Sequence, residues 1–283
     1  MPRLPVGVEN GSHIEIHYED HGAGTPVVLI HGYPLNGRSW EHQERALLDQ
    51  GFRAINYDRR GFGKSSQPTV GYDYDTFAAD LYTLLEHLDL HDVALVGFSM
   101  GTGEVTRYLA NYGSARVSSA VLIGAVPPFL LQTADNPEGV DGEVFQNIKH
   151  AILDDRYAYF STFFDNFFNT DTLGGTRISP EARAAAFNVA AGASPHATLA
   201  CVDTWLTDFR DDLSKIDVPT LVIHGTDDRI LPFDATAARL KDLIREVEVV
   251  PVDGGPHNVC WTHPEVVNPA LLHFLRAHAH ALH

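Results

Sequence analysis

Four short, mainly apolar runs constrain the fold of this chain more than any other feature. The runs occupy residues 27–30, 93–96, 120–123 and 220–223, and turn residues bound them. Runs of this length are typical of strands that are buried on both faces of a parallel sheet. A fifth, more mixed run lies at 53–57. The sequence therefore predicts a parallel sheet at the centre of the fold.

Helical patterns lie between these runs. From Phe77 to Leu88 the apolar residues recur at spacings of three and four, and Asp75 is the predicted N-cap of that helix. Similar patterns predict helices around 105–109, at 235–244 and at 266–275. Near the N-terminus, Asn10-Gly11 predicts a hairpin turn before a half-exposed strand. This alternation predicts an α/β fold with a mostly parallel central sheet flanked by helices.

The segment 127–205 interrupts the alternation. It is rich in aromatic residues, with five phenylalanines between positions 160 and 168. We interpret it as a helical cap whose apolar side chains line a substrate pocket. An additional helical layer without that role is the alternative. The predicted organisation is a core domain formed by 1–126 and 206–283, with the cap inserted at 127–205.

The charge balance excludes some classes of partner. The chain has 283 residues and a formal net charge of −17, which argues against nucleic acid and against an anionic membrane surface. The sequence has no run of about 18 apolar residues, which is the length that a membrane-spanning helix needs. The first twenty residues are acidic and lack a basic region followed by an apolar one, so no secretory signal is predicted. We expect a soluble, cytoplasmic protein.

A G-x-S-x-G motif at residues 97–101 directly follows the buried run 93–96 and precedes a helical pattern. In that context a sharp turn exposes the hydroxyl of Ser99, and both glycines are needed because the neighbouring backbone leaves no room for a Cβ. The alternative is a glycine-rich turn whose serine has no catalytic role. The strand–turn–helix context favours Ser99 as a nucleophile.

A serine nucleophile needs a base, and the base needs a carboxylate that fixes its tautomer. Among 16 histidines, His257 lies in a loop after the late apolar run 247–252, which favours it as the base. Asp227 and Asp228 both follow the buried run 220–223, and the pattern leaves either as the partner. His224, at the end of that run, is interpreted as structural.

Acyl transfer also needs donors for the developing oxyanion. The backbone N–H groups of Met100, directly after the nucleophile, and of Tyr33, in the loop after the run 27–30, are the candidates. No dinucleotide, phosphate-loop or metal motif is present, and Cys201 and Cys260 form neither a zinc pair nor a redox pair. We therefore expect no cofactor and no bound metal.

Together these residues resemble the α/β-hydrolase family and, within it, the cofactor-free bacterial haloperoxidases. That group is also called non-haem chloroperoxidases or perhydrolases, and it includes similar esterases and a γ-lactamase. The resemblance spans nearly the whole chain. It depends on the segments 31–35, 57–63, 71–80, 97–104, 135–139 and 261–263.

The resemblance implies site residues and a reaction. The implied catalytic triad and oxyanion hole are Ser99, Asp228 and His257 with Tyr33 and Met100. The implied acyl-enzyme is hydrolysed by water, or hydrogen peroxide converts it to a peracid that oxidises bromide or chloride off the enzyme. The implied partners are small esters, amides or carboxylic acids, and the implied assembly is a homo-oligomer, often a trimer. Asn258 departs from the pattern, because relatives commonly have glycine there.

Two alternatives remain beside a serine esterase or perhydrolase. One is an amide, lactam or lactone hydrolase of the γ-lactamase kind that uses the same triad. The other is a hydrolase scaffold that binds a ligand without turning it over, since an intact triad does not exclude such a receptor.

Overall fold

An eight-stranded sheet forms the centre of the computed structural model, which describes residues 2–278. The strands are β1 (Arg3–Glu9), β2 (Ser12–His21), β3 (Pro26–Ile30), β4 (Arg53–Asp58), β5 (Val93–Phe98), β6 (Val117–Ile123), β7 (Thr220–Gly225) and β8 (Val247–Val252). Their spatial order is β1-β2-β4-β3-β5-β6-β7-β8. β2 pairs antiparallel with β1 and with β4, whereas the other neighbours are parallel. The predicted mostly parallel α/β sheet is confirmed.

The four apolar runs lie in β3, β5, β6 and β7, which are neighbours in the middle of the sheet. Every residue of the runs 27–30, 93–96, 120–123 and 220–223 is buried. Helices between parallel strands cover both faces of a sheet, so these strands need apolar side chains on both faces. The predicted two-sided burial is confirmed.

The hairpin between β1 and β2 turns at Asn10 and Gly11. Both residues have positive φ, 49° and 80° respectively, and Glu9 pairs with Ser12 across the two-residue loop. Positive φ at both central positions is the requirement of a type I′ turn, which asparagine followed by glycine meets at low cost. The predicted hairpin turn is confirmed.

From β3 onward, helices connect the strands. They are α1 (Glu41–Asp49), α2 (Tyr74–His87), α3 (Met100–Tyr112), α4 (Gly142–Phe167), α5 (Thr170–Leu173), α6 (Pro180–Ala191), α7 (Pro195–Thr204), α8 (Arg210–Leu213), α9 (Ala237–Leu240), α10 (Val259–Thr262) and α11 (Pro264–His278). Short 3₁₀ helices lie at Gly37–Trp40 and Phe233–Ala235. No helix among the described residues is long and apolar enough to cross a membrane.

The predicted N-cap of α2 was wrong. The cap is Asp73, whose side chain accepts a hydrogen bond from the backbone N–H of Thr76 at 2.8 Å. Asp75 lies in the first turn instead, where its carboxylate accepts from Arg107 of α3 at 2.7 Å. A tertiary ion pair therefore uses the residue that local pattern alone had favoured as the cap.

The predicted helix at 235–244 is shorter than expected. Only Ala237–Leu240 forms an α-helix, and it is separated from the preceding 3₁₀ turn by Thr236. Thr236 has φ −127° and ψ −93°, outside the helical region, and its hydroxyl donates to the carbonyl of Pro232 at 2.9 Å. The backbone turns there rather than continuing one helix.

The chain between β6 and β7 carries helices α4 to α8. α4 bends at Asp155, where φ is −152° and ψ is 95°. The division into a core of 1–126 with 206–283 and a cap of 127–205 stays a prediction. Residue 1 and residues 279–283 of that division lie outside the described part of the chain.

Candidate active site

Ser99 lies at the tight turn between β5 and α3. Its backbone has φ 52° and ψ −120°, a conformation that costs a non-glycine residue free energy. A Cβ on Gly97 would lie 2.5 Å from the carbonyl oxygen of Gly101, and a Cβ on Gly101 would overlap the carbonyl of Ile30 in β3. The close approach of these backbones explains why the motif has glycine two residues before and after the serine.

Three of the predicted site residues form one hydrogen-bonded chain. Nε2 of His257 lies 2.8 Å from Oγ of Ser99, and Nδ1 of His257 lies 2.7 Å from Oδ2 of Asp228. Ser99 is 7% exposed, Asp228 6% and His257 0%. The serine and the aspartate are 129 residues apart in the sequence (228 − 99). They meet because parallel strands end at the same edge of the sheet.

Asp228, and not Asp227, is the carboxylate that faces His257. Its Oδ1 accepts from the backbone N–H groups of Ile230 and Leu231, each at 2.8 Å. Burial alone would raise the pKa of the Asp228 carboxyl, but His257 and His224 outweigh that effect and hold it well below its usual range. The carboxylate is therefore charged at neutral pH, as a partner for an imidazolium requires.

Asp227 has a different environment. Its side chain is exposed to solvent, while its backbone N–H donates to the carbonyl of Gly255 at 3.0 Å. Its carbonyl accepts from the side-chain amide of Asn169 at 2.9 Å. Asp227 thus joins its loop to neighbouring segments through the backbone.

Tyr33 and Met100, the two predicted oxyanion residues, line the same cavity as Ser99. Gly32 lies against the nucleophile, because a Cβ on it would be 2.8 Å from Cβ of Ser99. The loop after β3 therefore reaches the nucleophile as expected. The role of the Tyr33 and Met100 N–H groups as oxyanion donors stays a prediction.

A buried ion pair supports the loop that carries Tyr33. The guanidinium of Arg59 donates to the carbonyl of His31 at 2.9 Å and to Glu104 at 2.7 Å, and the backbone N–H of Arg59 donates to Nε2 of His31. The hydroxyl of Tyr57 also donates to Glu104. Burial raises the pKa of Glu104, an effect that Arg59 opposes. The Arg59 and Glu104 side chains are 1% and 0% exposed.

Sequence reasoning missed Glu104 as a supporting residue. One signal was available, because Glu104 lies within the otherwise uncharged segment 100–106 that follows the nucleophile. A charged residue on the buried face of a helix needs a buried partner of opposite charge.

The cavity above Ser99 has a volume of about 340 Å³. Its walls are mainly apolar. Many come from the segment after β6, from α4 and from the end of α7, including Val126, Leu130, Phe145, Ile148, Phe163 and Trp205, and others come from the loop after β7. Of the five clustered phenylalanines, only Phe163 lines this cavity. Phe167 instead packs its ring against His257, with ring centroids 5.1 Å apart. Apolar side chains of the segment 127–205 therefore line the cavity as expected, although four of the five clustered phenylalanines do not.

Asn258 caps the short helix α10. Its side-chain oxygen accepts from the backbone N–H of Trp261 at 3.2 Å. Its own N–H donates to the carbonyl of Phe167 in α4 at 3.1 Å. The bond to α4 uses only the backbone and would survive a glycine, so what asparagine adds at this position is the helix cap.

His224 was interpreted as a structural residue at a strand end, but in the structure it contacts the carboxylate of Asp228. It is 0% exposed, and its Nε2 lies 3.0 Å from Oδ2 of Asp228.

Cys201 and Cys260 are buried free thiols. Burial raises the pKa of the Cys201 thiol to about 12, and that of Cys260 also lies well above its usual value. Residues 2–278 contain no cluster of three or more potential metal ligands.

Comparison with known proteins assigns the family. Residues 25–264 match the family described as the alpha/beta hydrolase fold. The chain belongs to the α/β-hydrolase family. This α/β hydrolase is 64% identical to a putative non-heme chloroperoxidase of Synechocystis sp., over 98% of this chain and 100% of that protein. The suspected haloperoxidase subfamily is thereby confirmed.

Two further relatives have names that agree with this assignment. A bifunctional esterase/perhydrolase of Acinetobacter calcoaceticus is 34% identical, over 93% of this chain and 97% of its own. The crystal structure of a bromoperoxidase from Bacillus anthracis superimposes with a TM-score of 0.94 at 47% identity and covers 97% of this α/β hydrolase and 99% of its own chain.

Proposed function

We propose that this protein is a serine hydrolase that transfers small acyl groups through an acyl-enzyme on Ser99. Water completes ester hydrolysis, and hydrogen peroxide completes perhydrolysis. The observation that carries the proposal is the hydrogen-bonded chain from Ser99 through His257 to the ionised Asp228, at the floor of an apolar cavity. Relatives named as non-heme chloroperoxidases and as an esterase/perhydrolase support the same chemistry.

The first half-reaction forms the acyl-enzyme. Nε2 of His257 accepts the Ser99 proton as Oγ attacks the carbonyl carbon of the ester. Asp228 stabilises the imidazolium that results, without itself taking a proton. The backbone N–H groups of Tyr33 and Met100 stabilise the developing oxyanion. The imidazolium then protonates the alkoxide leaving group, and the alcohol departs.

The second half-reaction uses the same groups in reverse. His257 takes a proton from water or from hydrogen peroxide, which attacks the acyl carbon, and then returns the proton to Ser99 Oγ. Water gives a carboxylic acid and peroxide gives a peracid. The peracid oxidises a halide ion in solution to the hypohalous acid and is itself reduced to the carboxylic acid.

The cavity argues for small, apolar acyl groups. A volume of about 340 Å³ with mainly apolar walls favours burial of hydrocarbon over burial of unpaired polar groups. A dry cavity also strengthens the electrostatic contacts of the triad, because fewer waters screen them.

Release of p-nitrophenol from p-nitrophenyl acetate tests the proposal. Wild type should turn over, while Ser99→Ala and His257→Ala should each lose nearly all activity, since residues that act as a unit are not additive. Full activity in either variant would refute the triad.

Peracid formation from acetate and hydrogen peroxide, followed by bromide oxidation, measures the perhydrolysis branch in the same variants. A lactam or lactone substrate distinguishes the amide or lactone alternative, and binding without turnover would favour the scaffold alternative.

The remaining expectations are part of this proposal. We expect the inserted helices to act as a cap over the cavity, the protein to reside in the cytoplasm, and the chain to assemble as a homo-oligomer, a trimer by resemblance. Size-exclusion chromatography with light scattering measures the assembly. A monomer at micromolar concentration would contradict the expected oligomer without affecting the proposed chemistry.

A further inference from the structure

The side chain of His224, at the end of β7, connects three segments behind the triad. Its Nδ1 lies 3.0 Å from the backbone nitrogen of Ala125, after β6. Its Nε2 lies 3.0 Å from Oδ2 of Asp228 and 2.8 Å from the carbonyl oxygen of Leu231. The ring of Phe233 packs edge-on against it, with centroids 5.8 Å apart. The imidazole is thus enclosed, and both nitrogens have partners.

These partners select one tautomer of His224. The backbone N–H of Ala125 is a donor, so Nδ1 must accept, and in the neutral ring the hydrogen is then on Nε2. That N–H faces two acceptors, Oδ2 of Asp228 and the carbonyl of Leu231. A second hydrogen on Nδ1 would meet the Ala125 N–H donor to donor. The backbone therefore opposes double protonation of this histidine.

We propose that His224 is a positioning residue that orients Asp228 for its contact with His257. Its Nε2–H donates to the same oxygen, Oδ2, that accepts from Nδ1 of His257. Backbone N–H groups already hold Oδ1, so His224 supplies the additional donor that fixes the direction of Oδ2. The catalytic consequence of this contact rests on the proposed function.

The turn that His224 contacts through Ala125 also lies beside the imidazole of His257. Gly124 precedes Ala125, and a Cβ on Gly124 would lie 3.3 Å from Cε1 and 3.5 Å from Nδ1 of His257. The turn anchored by His224 therefore borders the ring of His257. One side chain thus supports both the carboxylate that holds the base and the backbone beside the base.

The donor has an electrostatic effect that orientation alone would not produce. A neutral N–H on Oδ2 stabilises part of the negative charge of Asp228, so less of it is available to stabilise a protonated His257. In the described structure the titratable side chains that interact with Asp228 are His224 and His257, while Ser99 faces the other nitrogen of His257. Loss of the donor should therefore make His257 easier to protonate.

Two substitutions separate the donor from the rest of the side chain. His224→Gln can place an N–H near the former position of Nε2 and so keep the bond to Asp228. His224→Asn can place an acceptor near the former position of Nδ1 for Ala125, but it is too short to reach Asp228. Circular dichroism and thermal unfolding test whether both variants fold.

The first readout is the NMR spectrum of the protein with ¹⁵N-labelled histidine, assigned by the resonances lost in each variant. In wild type His224 should be the Nε2–H tautomer around neutral pH. The Nδ1–H tautomer, or a doubly protonated ring, would overturn the proposal. This measurement needs no enzymatic turnover.

The second readout is the pH at which His257 titrates, with the acid limb of the kcat/KM profile for p-nitrophenyl acetate. In His224→Asn both should move to higher pH by about half a unit to one unit, since one hydrogen bond to a charged group is lost. We also expect kcat to fall on the order of 10- to 100-fold through misplacement of the base. In His224→Gln the acid limb should stay at the wild-type pH.

Equal behaviour of the two variants would overturn the proposal. If neither substitution moves the titration of His257, or if both move it alike, His224 acts only as a packed side chain. Absence of ester turnover in wild type would refute the proposed function instead, and the NMR titration would still decide whether His224 acts on Asp228.

Discussion

Replacing Asp228 by asparagine changes one oxygen into an NH₂ group, and the structure predicts which way the amide turns. If the amide oxygen takes the place of Oδ1, it accepts from the N–H groups of Ile230 and Leu231, as the carboxylate does. The NH₂ then meets one donor, Nε2–H of His224, which retains the Leu231 carbonyl at 2.8 Å. The opposite orientation puts NH₂ against two backbone donors and leaves both without acceptors.

The preferred orientation costs the base its function. Each buried N–H without an acceptor costs about 1–3 kcal/mol, so the amide oxygen stays with the backbone. The NH₂ then donates to Nδ1 of His257, which forces the hydrogen of the neutral ring onto Nε2. That nitrogen faces Oγ of Ser99 at 2.8 Å and no longer accepts its proton. We expect kcat to fall about 10⁴-fold, or about 5.5 kcal/mol of transition-state stabilisation.

Steady-state hydrolysis of p-nitrophenyl acetate measures this loss, and Asp227→Asn is the matched control. The control makes the same chemical change one residue away, on an exposed side chain, and should keep activity near that of wild type. KM should change little in either variant, since neither carboxylate lines the cavity. A larger loss in Asp227→Asn, or a loss below about tenfold in Asp228→Asn, would refute the reasoning.

Three further predictions concern stability. Gly101→Ala should lower the free energy of unfolding by about 1–3 kcal/mol, because the new Cβ overlaps the carbonyl of Ile30; an unchanged urea midpoint would contradict the close approach. Glu104→Gln should cost about 3–5 kcal/mol in the same assay, because it leaves the buried charge of Arg59 without its carboxylate; a loss below about 1 kcal/mol would show that the pair is well solvated. Below about pH 4 the stability of wild type should fall more steeply than that of Asp228→Asn, because a depressed pKa contributes stability that is present above the unfolded value of about 3.9 and is lost as the pH falls toward the folded value; parallel curves would contradict it.

The features that the sequence predicted correctly are those that backbone chemistry imposes locally. A strand buried on both faces needs mainly apolar side chains, so the four central strands were visible as runs. The turn at Ser99 needs glycine on both sides because of backbone contacts. Asn10 and Gly11 are among the few residues that accept positive φ at low cost. In each case the requirement leaves a short local pattern in the sequence: an apolar run, the G-x-S-x-G motif or the Asn-Gly pair.

The wrong or open assignments concern residues whose local patterns fit equally well. Asp75 was the predicted cap of α2, but Asp73 has the extended backbone of an N-cap and accepts from Thr76, while Asp75 pairs with Arg107 of another helix. Asp227 and Asp228 follow the same strand, and the resemblance was needed to choose. In the structure Oδ1 of Asp228 is held by N–H groups two and three residues later, which directs this carboxylate toward the histidine.

The supporting residues could not be found from the sequence, because their roles depend on partners that are distant along the chain. Glu104 pairs with Arg59, 45 residues earlier, and Nδ1 of His224 meets Ala125, 99 residues earlier. The sequence has 16 histidines, and no local pattern marks His224 among them as a donor to a carboxylate.

Residues placed by a local turn and residues placed by contacts between distant segments should respond differently to substitution. The position of the nucleophile depends on the turn that contains it, so a substitution there acts on Ser99 directly. The base and the loop of Tyr33 take their positions from buried polar contacts between distant segments. Buried polar contacts are costly to break, because a partner left alone keeps its desolvation penalty. Substitutions at Glu104 should therefore lower stability and activity together, whereas the His224→Asn and His224→Gln pair should differ in pH dependence even where stability falls equally. Measuring unfolding and the pH profile on the same variants separates a positioning role from a packing role.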